Sequence, residues 1–332
     1  MDPPKVKSVR LRGVEISPPL WLAPMAGITH TAFRRLLLEE GWAGCLSTEM
    51  LSARRLKSES ARSSPFLKRH PSEKPLSYQI VAWEPEHAAG AAKWLTAIGA
   101  DVIDLNFGCP APAVRRMGGG SKLMENLEDS ARILQSARGA TNLPLTAKTR
   151  LGETLDEGKL RDFCQMLEDV GIDMIAVHAR LRGEPYGRRP RWEWIGKVKE
   201  WVKVPVVGNG GIFTPEDARE CLRVSGCDGL MIGRGAAVKP WLGREIAREV
   251  FGLETEDRAV DLPALYRRFA RLLEESFTSE RRLGRLKEFT HYFAMNYPFG
   301  HTLASKVQVA ESFEEAVSRA EEFFAKALGG IV

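Results

Sequence analysis

The chain has 332 residues, 44% of them hydrophobic and 27% charged, with a formal net charge of +5. That balance suits a globular protein with a sizeable core and excludes a low-complexity or disordered chain. Five cysteines, odd in number and without a CxxC spacing, speak against a metal or disulfide framework. The chain carries no apolar secretory segment and no apolar run near the roughly 18 residues of a membrane span, so a soluble, cytoplasmic protein is expected.

In chain order, short apolar or β-rich runs occupy 20–25, 44–50, 75–80, 102–108, 144–150, 174–180, 205–211 and 230–235. Helix-period segments at 86–98, 121–138, 156–170, 192–201 and 215–223 separate most of them, which predicts parallel strands joined by crossover helices. Eight such runs predict a (β/α)8 TIM barrel over residues 1–252 rather than an open sheet. A Rossmann fold is excluded, because no G-x-G-x-x-G follows the first run. From residue 253 to 332 the strand pattern stops, and 262–277, 281–297 and 313–328 read as amphipathic helices, with a shorter one near 301–308. An all-helical C-terminal domain is expected there.

In such barrels chemistry lies at the carboxyl ends of the strands. Read that way, the runs end in Pro24 and Met25, Glu49, Gln79, Asn106 and Cys109, Lys148 and Arg150, His178 and Arg180, Asn209 to Gly211, and Gly233 to Gly235. The last two carry "NGG" and "GRG", Gly-rich turns of the type that expose backbone N–H groups to a phosphate, with Arg234 as a charge partner. Lys148 is placed to supply the positive charge that a reduced flavin needs, with Gln79 and Asn106 at the ring edge and Met25 against its face. Cys109, in "DLNFGCPAP", has three readings: a nucleophile, a buried packing residue, or a general acid. Cys164, Cys221 and Cys227 fall in or beside helical patterns and read as packing residues.

Three stretches are rich in cations: 53–70 (Arg54, Arg55, Lys57, Arg62, Lys68, Arg69), 180–191 (Arg180, Arg182, Arg188, Arg189, Arg191) and the helical segment (Arg267, Arg268, Arg271, Arg281, Arg282, Arg285, Lys287). With Phe66 and Tyr186 interspersed, they suit phosphate contacts and stacking on unpaired bases, and so an RNA partner held by salt-sensitive contacts.

The segments 23–36 ("APMAGITHTAFRRL"), 104–124 ("DLNFGCPAPAVRRMGGGSKLM"), 145–152, 177–180 and 206–236 together resemble the tRNA-dihydrouridine synthases, in order and over nearly the whole chain. "GGG" at 118–120 and the tail "RLKEFTHYFAMNYP" are most similar to the bacterial C-type branch. The resemblance implies an FMN enzyme that uses NADPH to reduce the C5=C6 bond of a uridine in tRNA, expected in the D-loop, and a monomer without a metal. It makes Cys109 the general acid and implies flavin contacts at Pro24, Met25, Ala26, Gln79, Lys148, His178, Asn209, Gly210, Gly211, Gly233 and Arg234. Asn106 and Arg180 match positions lining the uracil pocket, Arg115 and Arg182 are expected to add RNA contacts, and the helical domain to bind the tRNA body.

Three positions depart from the family pattern. Ala113 stands where a lysine is usual, Gly211 where an acidic residue is usual, and "HARL" where "HGRT" is usual. The first removes a phosphate contact that Arg115 or Arg116 is placed to restore; the second removes a side chain near the flavin's ribityl or phosphate arm. The alternatives are a flavin barrel reducing a free pyrimidine or small enone, and an RNA-binding barrel without catalysis.

Overall fold

The computed structural model describes residues 7–60 and 63–328, so Arg62 of the first basic stretch lies outside the described residues. A hairpin, β1 (Val9–Leu11) and β2 (Val14–Ile16), comes first. The barrel strands follow: β3 (Leu20–Leu22), β4 (Leu46–Ser47) with the offset β5 (Leu51–Ser52), β6 (Leu76–Val81), β7 (Val102–Asn106), β8 (Leu145–Arg150), β9 (Met174–His178), β10 (Val206–Asn209) and β11 (Gly229–Ile232). They are parallel in the order β3-β11-β10-β9-β8-β7-β6-β4, and a bridge between Trp21 and Cys45 closes the ring. This is the expected (β/α)8 barrel.

The helices are α1 (Thr31–Glu39), α2 (Ala53–Leu56), α3 (Pro85–Ala97), α4 (Pro112–Arg116), α5 (Leu127–Gly139), α6 (Glu157–Asp169), α7 (Trp192–Trp201), α8 (Pro215–Ser225), α9 (Arg234–Val238) and α10 (Leu242–Glu249). α11 (Leu262–Ser276), α12 (Leu283–Phe293), α13 (Gly300–Gln308) and α14 (Phe313–Leu328) form the C-terminal helical region. No helix among the described residues is long and apolar enough to cross a membrane.

Two expectations are corrected, and one element is added. The second run is not continuous from 44 to 50: Thr48 replaces a ladder bond with its hydroxyl, accepting from the N–H of Gln79 at 3.2 Å, and Glu49 turns away to accept from the N–H of Gly27 at 2.5 Å. The helix expected over 121–138 is broken. Gly120–Glu125 is a 3-10 turn, and Asn126, extended at φ −137°, caps α5 by accepting from the N–H of Asp129. The hairpin β1–β2, unforeseen in the sequence, places Val9, Leu11 and Ile16 against the barrel-interior residues Trp21, Met174, Ala176 and Val207, closing the end opposite the active face.

The helical region shares one continuous apolar core with the barrel. At the seam His30 caps α1 and lies between Phe269 and Phe277, with ring centroids 6.1 and 5.2 Å away. Burial, with Arg285 and Arg34 nearby, pushes its pKa well down, so the folded protein excludes a proton that the unfolded chain accepts below about pH 6.5. Stability from this residue is therefore full above that pH and lost as pH falls. We expect Tm to decline on acidification, and His30→Asn, which retains a capping oxygen, to flatten part of that decline in pH-resolved thermal melts.

Candidate active site

Alternation along the strands decides which residues face inward. On β8, Thr146, Lys148 and Arg150 share one face; Asp104 and Asn106 do so on β7. Their polar ends meet the strand-end glycines across a cavity of about 320 Å³ at the carboxyl end of the barrel. Pro24, Met25, Ala26, Gln79, Asn106, Cys109, Lys148, His178, Asn209, Gly210, Gly211, Gly233 and Arg234 all line it.

The turn that carries Cys109 is built locally. The Asn106 carboxamide oxygen accepts from the N–H groups of Gly108 at 3.1 Å and Cys109 at 2.8 Å, an Asx-type turn that lifts the thiol to the cavity edge. The chain behind it is glycine because there is no room for more. At Gly120, with φ +61°, a Cβ would lie 2.7 Å from the Cys109 carbonyl oxygen. Cys109 is partly accessible, whereas the other four cysteines are buried.

Lys148 is partly buried, and burial followed by the Arg150 charge lowers its pKa to about 8, so it is mainly cationic at neutral pH. His178 is held neutral: burial, Lys148 and three arginines all push its pKa well down. The Arg180 guanidinium lies 3.1 Å from Nε2, and since arginine only donates, Nε2 accepts and the ring proton is on Nδ1. Gly210 accommodates this contact, because a Cβ there would lie 2.7 Å from the His178 ring. At Gly211, with φ +73°, a Cβ would stand 2.7 Å from the Pro190 ring. In this chain Pro190 thus occupies the space that the usual acidic side chain would need.

Arg180, Arg115 and Arg182 do not line the cavity. Arg180 is 2% exposed and donates to the carbonyls of Tyr186 and Arg188, bracing the β9–α7 loop from behind His178. Arg115 is held by Ser121 and Glu125, and Arg182 pairs with Glu153 beside a separate cavity of about 540 Å³. Arg116 remains exposed.

Arg150, a strand-end candidate with no role given it, Tyr186, read as a base-stacking residue, and Tyr292, which the sequence does not single out, also line the cavity. Arg150 donates to the Gly108 carbonyl at 3.0 Å and lies 3.3 Å from the Tyr186 hydroxyl, so it ties the thiol turn to the β9–α7 loop. Its signal is its place two residues after Lys148, on the same strand face. Tyr186 stacks on His178, and Arg234 lies 4.4 Å over its ring. Tyr292 reaches the cavity from α12, far along the chain.

A family model described as "Dihydrouridine synthase (Dus)" matches residues 21–326. The chain belongs to the dihydrouridine synthase family. It is 38% identical over 225 residues to the "Probable tRNA-dihydrouridine synthase 1" of Synechocystis, covering 68% of this chain and 63% of that protein. It is 35% identical over 290 residues to the "tRNA-dihydrouridine(16) synthase" of Pseudomonas syringae pv. tomato, covering 83% and 90%. Among solved structures, histamine dehydrogenase from Rhizobium sp. 4-9 superposes with a TM-score of 0.56 at 14% identity, over 80% of this chain and 50% of that one. A 2-naphthoyl-CoA reductase gives 0.55 at 11% identity, over 74% and 52%. At that identity the likeness is one of fold, and this chain spans about half the length of either. Membership of the dihydrouridine synthase family agrees with the "NFGCP" turn lying at the carboxyl end of β7.

Proposed function

We propose that this protein is a flavin-dependent tRNA-dihydrouridine synthase that reduces the C5=C6 bond of a D-loop uridine, with NADPH as reductant. The observation that carries the reading is the placement of one partly accessible thiol, Cys109, in the same cavity as a partly buried cation, Lys148, and a wall of strand-end glycines. That cavity fits a flavin mononucleotide. Lys148 would face the electron-rich end of the ring, Pro24 and Met25 would supply apolar contact, and Arg234 with the Gly210, Gly211 and Gly233 backbone would hold the phosphate arm. When bound, the flavin supplies the hydride that adds to C6 of the uracil.

The protein's own residues do the rest. Cys109 delivers the proton to C5, and Asn106, Arg150 and Tyr186 line the mouth where the base enters. Tyr292 brings the helical region, residues 253–332, to the same mouth, which favours a macromolecular substrate over a free pyrimidine. Arg54 and Arg55 on α2, Lys57 at its end, Arg116, Arg189 and Arg271 are exposed and make no ion pair among the described residues, so they remain available to phosphates. Many of the other cations are neutralised. Lys68 donates to the Ser276 carbonyl, Arg69 pairs with Asp101, and Arg267 and Arg268 pair with Glu321 and Glu39.

The test is to incubate unmodified tRNA with the protein, FMN and NADPH and to measure nucleosides by mass spectrometry. Uridine should gain two hydrogens, and fragment mapping should begin at position 16, given the name of the Pseudomonas relative. No gain, with a bound flavin that NADPH still reduces, would turn the reading towards a small-molecule substrate. A second expectation follows from Lys148. Because its pKa is lowered to about 8, its charge is present below that pH and lost above it. FMN affinity of the apoprotein, measured by fluorescence quenching, should weaken as pH rises through 8, and Lys148→Met should flatten that dependence.

A further inference from the structure

Behind the cavity a single carboxylate stands at the head of a chain of side-chain hydrogen bonds. Asp104 is 3% exposed and does not line the cavity. Its Oδ1 accepts from the Thr146 hydroxyl at 2.6 Å and its Oδ2 from the Gln79 amide nitrogen at 2.7 Å. The Gln79 oxygen then accepts from the Asn106 amide nitrogen at 2.8 Å, and the Asn106 oxygen accepts from the Gly108 and Cys109 N–H groups. Burial raises the carboxyl's pKa, while Thr146, Gln79 and Lys148 oppose that shift.

A carboxamide has a donor end and an acceptor end of nearly the same shape, so two amides in series can stand in either sense. Only one sense serves the turn. If Asn106 were reversed, its NH₂ would face the N–H groups of Gly108 and Cys109, donor against donor. The two turn N–H groups oppose that reversal from one end of the relay, and the Asp104 carboxyl, accepting from Gln79, opposes it from the other. With Oδ1 taken by the Thr146 hydroxyl and Oδ2 accepting from Gln79, Gln79 points its nitrogen at Asp104 and its oxygen at Asn106, and Asn106 points its oxygen at the thiol turn.

We propose that Asp104 is a positioning residue: as the acceptor at the head of the relay it anchors the Gln79 and Asn106 amides in the sense the turn requires and so steadies the turn that presents Cys109. The catalytic consequence rests on the reading of Cys109 as proton donor, while the control of the turn does not. The determinant is the acceptor rather than the charge. In Asp104→Asn the new carboxamide would still offer one oxygen to Gln79 while donating its nitrogen to Thr146, whose hydroxyl oxygen can accept. In Asp104→Leu the side chain would offer nothing.

The test uses the full-length FMN-loaded protein as Asp104→Leu and Asp104→Asn, with alkylation of Cys109 by iodoacetamide followed by peptide mass spectrometry. Burial of the other four cysteines makes the label selective. Asp104→Leu should be alkylated about fivefold faster than the parent, the equivalent of one ordinary hydrogen bond. Its kcat on tRNA should fall by about 10²-fold with KM little changed, because the loss is in the placement of the acid and not in RNA binding. Asp104→Asn should remain within about twofold of the parent on both readouts, less than half of one ordinary hydrogen bond. Should Asp104→Leu fail to fold, Gln79→Leu cuts the same relay one link later and should give the same faster alkylation. A folded relay-cutting variant with parental labelling would overturn the proposal, as would Asp104→Asn behaving like Asp104→Leu. If the parent makes no dihydrouridine, the proposed function fails while the labelling still decides what holds the turn.

Discussion

Cys109→Ala should bind tRNA and FMN as the parent does and form dihydrouridine about 10²- to 10⁴-fold more slowly, the usual contribution of a positioned general acid. The size of the loss follows from the site's composition. Among the residues lining the cavity, Lys148, Arg150 and Arg234 are cations, Tyr186 and Tyr292 carry hydroxyls that are weak acids, and His178 is held neutral with its proton on Nδ1. Cys109 is the thiol that the Asn106 turn lifts to the cavity edge. Binding should survive because the thiol is a small part of the lining, and the turn is held by backbone N–H groups that alanine retains. Single-turnover oxidation of the NADPH-reduced variant by tRNA separates the two steps. A variant that reduces uridine at the parental rate would remove Cys109 from the chemistry, and a variant that no longer binds tRNA would assign it to recognition.

Glu73→Ala should lower stability by about 3–5 kcal/mol, the cost of leaving a buried charge without its partner. Arg34, 1% exposed, lies inside the seam between α1 and the loop before β6. Its Nε and Nη2 donate to Glu73 Oε2 at 2.9 and 2.7 Å, Thr31 donates to the other carboxylate oxygen, and the remaining guanidinium donors reach the carbonyls of Thr29 and Lys68. Removing the carboxylate leaves the guanidinium desolvated, with only backbone oxygens to face. A fall in Tm of roughly 5 °C is expected by calorimetry for a loss of this size in a chain of this length. The paired change, Arg34→Met with Glu73→Leu, should recover much of it, because an apolar pair of similar volume has no charge to desolvate. Equal damage in the single and paired variants would mean that the site depends on the loop geometry and not on charge compensation.

The parts of this site that were legible in the sequence are those set by short-range rules. Strand alternation and the position of each run's last residues put Gln79, Asn106, Lys148, His178 and Asn209 at one end of a barrel, and the structure brings them to one cavity. The same alternation made Arg150 readable two residues after Lys148. Basic stretches were legible as composition, but not as available charge. Arg268 finds Glu39, 229 residues away in the chain, and Arg267 finds Glu321, and no local pattern announces either pairing.

Arg180 shows the same limit at the site itself. It ends a strand run, as Lys148 does, yet its guanidinium turns behind His178 because the carbonyls of Tyr186 and Arg188 wait there. By itself the sequence determined the barrel, the helical tail, the family and the turn that carries Cys109, because periodicity and an Asx-type turn act over a few residues. The tertiary structure alone decided how the second strand breaks at Glu49, how α12 delivers Tyr292 to the mouth, and how Gln79 bridges Asp104 and Asn106. Those outcomes depend on hydrogen-bond partners and packing surfaces that meet only after the chain has closed on itself.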